Sequence, residues 1–245
     1  MALLTHLAVQ KQLQTLADGR RASNFQRFFK TGPGQYGEGD RFIGLTVPQM
    51  RTTAKTFVGL PLAQVVKLLR SPIHEHRLTA LMIMVLQFQK GDETTRRAIY
   101  DLYLSNTRWV NNWDLVDASA PYIVGAWLEK RSHAALMKLA RSPVLWERRI
   151  AIVATQHLIR KGIFATTFDL AERLMADPHD LIHKAVGWML REVYKRDPAS
   201  TVAFLEKHQH ELPRTALRYA IERCDGPTRK RLMERPFGVP ASARM

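Results

Sequence analysis

The sequence predicts an all-α fold made of repeated helix pairs, and three observations support this prediction. Apolar residues recur at spacings of three and four, which places them on one face of a helix, as in Leu78, Leu81, Met82, Val85 and Leu86. Runs that alternate apolar and polar residues, which are typical of strands, are hard to find. Helix-start signals also recur along the chain at a nearly constant interval.

The start signals are capping residues placed just before a proline. Ser71-Pro72, Ser142-Pro143 and Asp177-Pro178 each put a capping side chain ahead of a proline at the first helical position. Asn106-Thr107 keeps only the cap, and Leu212-Pro213 keeps only the proline. Counted from the second residue of each pair, the starts are 72, 107, 143, 178 and 213, with steps of 35, 36, 35 and 35 residues. This period fits two short helices and two turns, the unit of HEAT-like α-solenoids.

Each start is expected to open the second helix of a pair, and the first helices are predicted at 62–69, 93–104, 133–140, 168–175 and 201–208. Residues 1–234 are predicted to form one repeat domain, in which 1–60 are N-terminal capping helices with a glycine-rich insert and 61–234 are the repeats. Residues 235–245 are expected to be a flexible tail. Because stacked repeats present equivalent faces side by side, we expect a concave basic face.

The chain carries a large excess of positive charge. Its 245 residues include 37 Lys and Arg against 22 Asp and Glu, a formal net charge of +15, while 46% of the residues are hydrophobic. This apolar content excludes a disordered chain. A basic surface gains free energy by releasing the counterions condensed on nucleic acid, so nucleic acid is the favoured partner. The alternative is a solvated basic surface with no specific partner.

Several classes of protein are excluded by what the sequence lacks. A single cysteine, Cys224, excludes a disulfide framework and a cysteine-based zinc site. The histidine pairs His74/His76 and His208/His210 have no convincing third ligand, so no metal is predicted. The sequence shows neither a long apolar run nor a signal peptide. We therefore expect a cytoplasmic protein with no membrane association, bound to the bacterial nucleoid when it is on DNA.

Alignment of the five predicted second helices by their starts turns the sequence into columns. The column six residues after the starts contains Leu78, Trp113, Arg149, Lys184 and Tyr219. The column ten residues after the starts contains Met82, Asp117, Val153, Trp188 and Arg223. The two columns share one helix face because they are four residues apart. The column eight residues after the starts is aliphatic and is the predicted core: Ala80, Leu115, Ala151, Val186 and Ile221.

The columns six and ten residues after the starts combine aliphatic, aromatic and charged residues, which suggests a chemical site. One carboxylate, Asp117, with two indoles and a guanidinium, predicts an aromatic-walled pocket with one negative charge. A carboxylate repels DNA phosphate, but it stabilises the oxocarbenium-like sugar that forms when an N-glycosidic bond breaks, and it can orient or deprotonate the attacking water. Indole faces also favour a cationic partner. The alternative is that the tryptophans belong to the core and that Asp117 forms a plain salt bridge with Arg149.

Three segments, 113–117, 146–152 and 184–192, resemble the AlkD family of DNA alkylation-repair glycosylases, and the resemblance extends over about 25–221. It implies a HEAT-like solenoid that excises N7-alkylguanine and N3-alkyladenine, cationic bases with weakened glycosidic bonds. It also implies cleavage without extrusion of the base. Asp117 matches the family's catalytic aspartate, Trp113 and Trp188 match the tryptophans that contact the sugar and backbone of the damaged nucleotide, and Arg149 matches the arginine beside the aspartate.

The resemblance is incomplete near the N-terminus, where the family has an aromatic residue that helps to line the site. Phe28 is the best match, and Tyr36, within the glycine-rich insert 31–40, is the alternative. The insert is interpreted as a surface turn or, alternatively, as backbone amides that contact a DNA phosphate. Basic residues along the same helix faces are candidates for phosphate contacts that position the duplex: Arg148, Lys184, Arg191, Lys195 and Arg160.

These observations together predict a monofunctional DNA-alkylpurine glycosylase that acts on double-stranded DNA as a monomer. No cofactor is expected, and no strand cleavage is expected because no lysine has a context that suggests Schiff-base chemistry. The main alternative is a non-catalytic HEAT-like protein that binds branched or distorted DNA. A protein-binding scaffold is a third hypothesis, because many HEAT-type arrays bind proteins.

Overall fold

The computed structural model of the protein describes residues 4–234, and its regular structure is helical, which confirms the predicted all-α class. Within this part of the chain no strand forms, and a single isolated bridge joins Arg41 to Ile73. The fold divides into two compact units, the first ending at Trp127 and the second beginning at Leu128. The assignment of both units to one repeat domain stays a prediction, and the predicted tail at 235–245 lies outside the described residues.

The first unit is built around the long helix α5. In chain order its helices are α1 (His6–Gln14), α2 (Gly19–Phe28), α3 (Val47–Thr56), α4 (Leu62–Leu69), α5 (His74–Lys90), α6 (Glu93–Ser105), a 3-10 turn (Thr107–Trp109), α7 (Trp113–Asp117), a π-helical turn (Pro121–Gly125) and α8 (Ala126–Leu128), whose last residue is the first of the second unit. Helices α3, α4, α6 and α7 all pack against α5. The predicted capping region therefore contributes α1, α2 and α3.

The second unit is centred on α12. Its helices are α9 (Ala134–Leu139), α10 (Leu145–Arg160), α11 (Ala165–Leu174), α12 (Asp180–Tyr194), α13 (Pro198–Lys207), α14 (Arg214–Ala220) and α15 (Gly226–Glu234). Helices α10, α11, α13 and α14 pack against α12. Helices α12 and α14 lie close together at Gly187, where a Cβ atom would lie 2.3 Å from the carbonyl oxygen of Ala216. Glycine at this position therefore lets α12 and α14 come together.

The predicted repeat agrees with the helix pairs that form. The first helix predicted at 62–69 coincides with α4, and the other four first helices match α6, α9, α11 and α13 with shifts of a few residues at their ends. The predicted core column is buried throughout, since Ala80, Leu115, Ala151 and Val186 are 0% exposed and Ile221 is 1% exposed. The apolar spacing therefore identified the packed face correctly.

The predicted role of the Ser-Pro and Asp-Pro pairs as helix caps is wrong. The side chains of Ser71, Ser142 and Asp177 accept hydrogen bonds from the backbone N–H two residues later, at 3.2, 3.0 and 2.9 Å. Helices α5, α10 and α12 begin only after these turns, each two residues beyond its proline. The pairs therefore form a tight turn that leads into the helix, because their side chains bond locally instead of reaching the third helical N–H.

The helix predicted to start at Thr107 does not form as a single element. Residues 107–109 make one 3-10 turn, and α7 begins only at Trp113, where the side chain of Asn112 accepts a hydrogen bond from the N–H of Trp113 at 2.8 Å. The α-helix ends early, ahead of the π-helical turn that Pro121 opens, since proline has no N–H to donate. Trp113 thus lies at the first position of a five-residue helix.

A hydrogen bond from a side chain to a backbone carbonyl oxygen recurs at the predicted period, which supports that period independently. Arg77, Arg148 and His183 each lie five residues after a predicted start. Each donates to the carbonyl oxygen of the residue that precedes the proline, at 3.1, 3.1 and 2.5 Å. The same position in three repeats therefore closes the turn that leads into the helix.

Candidate active site

The residues that the sequence assigns to the site divide between the two units. Phe28, Trp113 and Asp117 belong to the first unit, whereas Arg149 and Trp188 belong to the second, together with the basic residues proposed to contact phosphate.

Asp117 is the last residue of α7 and is half-buried. It lines a cavity of about 280 Å³ formed by α3, α5 and the segment that follows α7. Met82, which shares the predicted column of Asp117, lines the same cavity, as do two cationic residues of α3, Arg51 and Lys55. The carboxylate thus faces a space that also presents two positive side chains. An anionic ligand that spans the cavity would meet cations on one side and the carboxylate on the other.

Trp113 is half-buried and is held in a stack of aromatic rings. Its ring lies parallel to that of Phe29, with centroids 5.2 Å apart and planes at 17°. Phe29 stacks in turn on Phe42 at 4.9 Å, and Phe42 stacks on the imidazole of His74 at 4.5 Å. Phe28 packs edge-on against Trp113 at 6.0 Å and is 64% exposed, so an aromatic ring does lie beside the tryptophan at the accessible surface.

Tyr36, the alternative to Phe28, lies next to it in the glycine-rich insert, and its hydroxyl donates to the carbonyl oxygen of Phe28 at 3.5 Å. Within the insert, the N–H groups of Gly32, Gly34 and Gly37 already donate to acceptors at 3.1, 2.9 and 3.1 Å. Those three amides are therefore engaged in shaping the turn, which favours the interpretation of the insert as structural.

A buried network of charges, which the sequence analysis missed, lies directly behind the aromatic stack. Nε2 of His74 is 2.8 Å from Oδ2 of Asp114, and Nδ1 of His74 is 3.0 Å from Oδ2 of Asp40. Asp40 also accepts hydrogen bonds from Arg77 at 2.5 Å and from Asn112 at 3.1 Å. The network joins the end of the glycine-rich insert to α5 and to the first turn of α7.

The surroundings of two neighbouring histidines shift their pKa values in opposite directions. Burial by itself would lower the pKa of His74, but the charge of Asp114 and the hydrogen bonds to Asp114 and Asp40 outweigh it and raise this pKa to about 9. His76 is also buried, and its burial together with the charge of Arg77 lowers the pKa of His76 to about 4. At neutral pH His74 is therefore an imidazolium that donates to two carboxylates, whereas His76 is neutral.

These opposite shifts predict a maximum in the free energy of unfolding near pH 6.5. Because the folded-state pKa of His74 is raised, its stabilisation is complete below about pH 6.5 and is lost as the pH rises through about 9, a change of about 3 kcal/mol. Because the folded-state pKa of His76 is lowered, stability also falls as the pH drops from about 6.5 towards 4. Urea unfolding across this range measures both effects. His74→Gln should remove most of the alkaline decline, and His76→Gln should reduce the acid decline, to which the lowered pKa of His179 also contributes. An alkaline decline of undiminished size in His74→Gln would contradict the assignment.

In the second unit, the two adjacent arginines of α10 are bonded within the fold. Arg149 is 5% exposed, and its Nη1 donates to the carbonyl oxygen of Leu181 at 2.7 Å, which joins α10 to the first turn of α12. Arg148 forms a salt bridge with Asp177 at 2.5 Å and also donates to the carbonyl oxygens that precede α10. Its guanidinium is thus engaged in shaping the repeat, and a phosphate contact by Arg148 stays a prediction.

The other predicted phosphate contacts carry partners of their own. Lys184 pairs with Asp180 at 2.7 Å, Arg191 pairs with Glu222, and Lys195 pairs with Glu192 at 2.6 Å. Arg160 donates to the side chain of Gln156 at 2.9 Å. Trp188 is half-buried on α12. By contrast, Arg51 and Lys55 of the first unit are exposed and have no carboxylate within salt-bridge distance in the described part of the chain.

The sequence carried only weak signals for the residues that it missed. Asp114 lies inside the motif used for Trp113 and Asp117, but its neighbours in the fold are distant in sequence. His74 belongs to a histidine pair that lacks a third metal ligand, and its two carboxylate partners are distant from it in the sequence. Among residues 4–234, no group of three or more histidine, cysteine or acidic side chains is arranged to hold a metal ion. None of the helices formed by those residues is both long enough and apolar enough to cross a membrane.

Comparison with known proteins identifies the family to which this chain belongs. A family model described as DNA alkylation repair enzyme matches residues 9–224, which is most of the chain. The chain belongs to this family. The resemblance found in the sequence is thereby confirmed, and membership of the DNA alkylation repair enzyme family supports an enzyme with a role in the repair of alkylation damage and with DNA as its partner.

A solved structure of a predicted DNA alkylation repair enzyme from Enterococcus faecalis shares this fold. The two chains are 18% identical with a TM-score of 0.67, and the match covers 86% of this chain and 97% of that chain. At this identity the likeness shows the fold of the alkylation-repair family and no more. Comparison with curated proteins finds no match.

Proposed function

We propose that this alkylation-repair protein is a monofunctional DNA glycosylase. It hydrolyses the N-glycosidic bond of cationic alkylated purines, 7-alkylguanine and 3-alkyladenine, in duplex DNA, without cofactor and without strand cleavage. The observation that carries the proposal is the position of Asp117 at the wall of an open cavity, one helical turn from Trp113 and beside two cationic side chains.

The chemistry of this arrangement supports base release rather than simple binding. A carboxylate within a basic groove weakens phosphate binding, so it is useful only where positive charge develops. When the glycosidic bond of an alkylpurine breaks, the positive charge of the base passes to the sugar, and Asp117 stabilises that charge and orients the attacking water. The electron pair of the bond leaves with the base, which departs neutral. Water supplies the hydroxyl group at the sugar carbon and gives up its other proton to the carboxylate of Asp117 or to solvent.

The neighbouring side chains would hold the nucleotide while this happens. Trp113, with Phe28 exposed at its edge, offers aromatic faces against the deoxyribose and backbone of the damaged nucleotide. Arg51 and Lys55 are suited to bind phosphates on the other side of the cavity. Trp188 and Arg149 keep the roles that the family resemblance assigns to them.

The direct test is the release of free base from methylated duplex DNA. Incubation with the protein, followed by chromatography of the small molecules, should show 7-methylguanine and 3-methyladenine above the spontaneous rate, with the DNA strands intact. Tight binding of branched or distorted DNA without base release would instead favour the non-catalytic alternative.

The cationic pair on α3 gives a second, independent prediction about DNA binding. Replacing both Arg51 and Lys55 by glutamine should remove two phosphate contacts. The negative slope of log affinity against log salt concentration should then become less steep by about 2. Titration of fluorescent duplex DNA at several salt concentrations measures this slope. The double variant Arg97→Gln/Lys130→Gln removes the same charge from exposed positions and should leave the slope close to that of the wild type. Equal slopes for the two double variants would exclude α3 as a phosphate-binding surface.

A further inference from the structure

We propose that His74, held between Asp40 and Asp114, is a positioning residue that sets the placement of Trp113 and Asp117 for base release. This inference rests on the proposed glycosylase function and names a residue that acts through others. His74 is 1% exposed, so it does not contact a substrate itself.

The first connection runs from His74 directly into α7. Asp114 is the second residue of this helix; its Oδ2 accepts from the imidazole at 2.8 Å, and its Oδ1 accepts from the N–H of Leu115 at 2.9 Å. A helix of five residues has too few internal hydrogen bonds to hold its own conformation. Its orientation therefore depends on contacts such as this one.

The second connection reaches the other side of Trp113 through Asp40. Oδ2 of Asp40 accepts from both His74, at 3.0 Å, and the side chain of Asn112, at 3.1 Å. Asn112 in turn accepts from the backbone N–H of Trp113 at 2.8 Å. Both residues that flank Trp113 in the chain are thus linked to the same imidazole.

A third connection passes through the aromatic rings. The imidazole of His74 lies against Phe42, which stacks on Phe29, which stacks on the indole of Trp113. An imidazolium on an aromatic face adds a favourable cation–π contact to this stack. His74 therefore restrains the indole ring as well as the backbone that carries it.

The consequence reaches Asp117 because it lies on the same short helix. Trp113 and Asp117 are four residues apart, so a tilt of the first turn of α7 displaces both side chains together. Catalysis by a fixed carboxylate depends on its position to within a fraction of an ångström. A buried ion cluster gains little net stability, because desolvation of the charges offsets their attraction. Its contribution can instead be to specify a single conformation of the elements that it joins, here α5 and α7.

The closest matched variants are His74→Gln and His76→Gln, which each remove one buried imidazole from the first turn of α5. His76 bonds to Ser71 at 2.9 Å, and among residues 4–234 it makes no hydrogen bond to α7. We expect His74→Gln to lower the single-turnover rate of base release at least tenfold, with DNA affinity changed less than about threefold. His76→Gln should release base at nearly the wild-type rate. Circular dichroism at the assay temperature establishes whether each variant is folded.

A pH profile of base release distinguishes positioning from general destabilisation. The charged groups that face His74 are Asp114 from α7, Asp40 from the end of the insert, and Arg77 from α5 itself. In the wild type the rate should decline on the alkaline side as His74 loses its proton. Asp114→Asn removes one counter-charge, so it should move this decline to lower pH by about one unit or more. A variant that is only less stable would lower the rate equally at every pH in the folded range.

The outcomes separate the two proposals. If the wild type releases no base, the glycosylase function fails and the positioning role fails with it. If the wild type is active and His74→Gln matches it, only the positioning role is overturned. If His74→Gln does not fold, Asp114→Asn decides through its pH profile, because it keeps the size of the side chain and an oxygen that can accept from His74. An unshifted alkaline decline in that variant overturns the positioning role.

Discussion

Replacing Asp117 by asparagine is expected to lower base release from methylated duplex DNA at least tenfold, equivalent to about 1.4 kcal/mol of activation free energy. The amide keeps the size of the side chain at the cavity wall but cannot balance the positive charge that forms on the sugar. DNA affinity should hold or rise slightly, because the variant loses a carboxylate that repels phosphate while Arg51 and Lys55 remain.

Single-turnover kinetics and a binding titration on the same substrate measure the two quantities separately. Asp101→Asn provides the matched control, since Asp101 lies on an exposed face of α6, where it pairs with Arg97. The control should release base at the wild-type rate. Equal rates for Asp117→Asn and the wild type would count against the catalytic assignment. A parallel loss of affinity and rate would point to a binding role for Asp117 instead.

Replacing Asp40 by asparagine is expected to lower the free energy of unfolding by about 3 to 5 kcal/mol, the largest stability effect of any change considered. The carboxylate of Asp40 is buried and accepts hydrogen bonds from His74, Arg77 and Asn112. Burial opposes its ionisation, but the hydrogen bond from His74 and the charge of Arg77 keep the pKa of Asp40 below its usual value. An amide at this position leaves two buried cations without their shared counter-charge.

Urea unfolding at neutral pH tests this expectation. The same control, Asp101→Asn, breaks an exposed pair four residues apart on one helix and should cost no more than about 0.5 kcal/mol. A loss below about 1 kcal/mol in Asp40→Asn would show that the network contributes little to stability. The contacts of Asp40, at the end of the glycine-rich insert, would then connect the insert to α5 and α7 without stabilising the fold.

Much of the fold was predictable because an amphipathic helix requires apolar residues at short, regular spacings that are visible in the sequence. The aliphatic column from Ala80 to Ile221 is buried at every position, and the first helices of the pairs form where apolar spacing indicated them. These features depend on residues three or four apart, which the sequence displays directly.

The helix starts were less predictable, because the same Asp-Pro dipeptide can either form a turn ahead of a helix or cap the helix itself. Asp177-Pro178 forms a turn that precedes α12, and the side chain of Asp177 also accepts a hydrogen bond from the guanidinium of Arg148. Asp197-Pro198, by contrast, is a true cap, in which the aspartate accepts from the N–H of Ser200 and the proline is the first helical residue. Partners that lie far away in the chain decide between the two outcomes.

The sequence by itself determined the all-α class, the 35-residue period of the helix pairs and the family resemblance around Trp113 and Asp117, because apolar spacing, recurring start signals and the residues of the motif can all be read directly from the chain. Only the tertiary structure decided where α7 begins and what holds it. Asp40 and Asn112 are 72 residues apart, and His74 and Asp114 are 40 apart. Contacts over such separations depend on how helices pack, and packing is a property of the folded chain that no local pattern records.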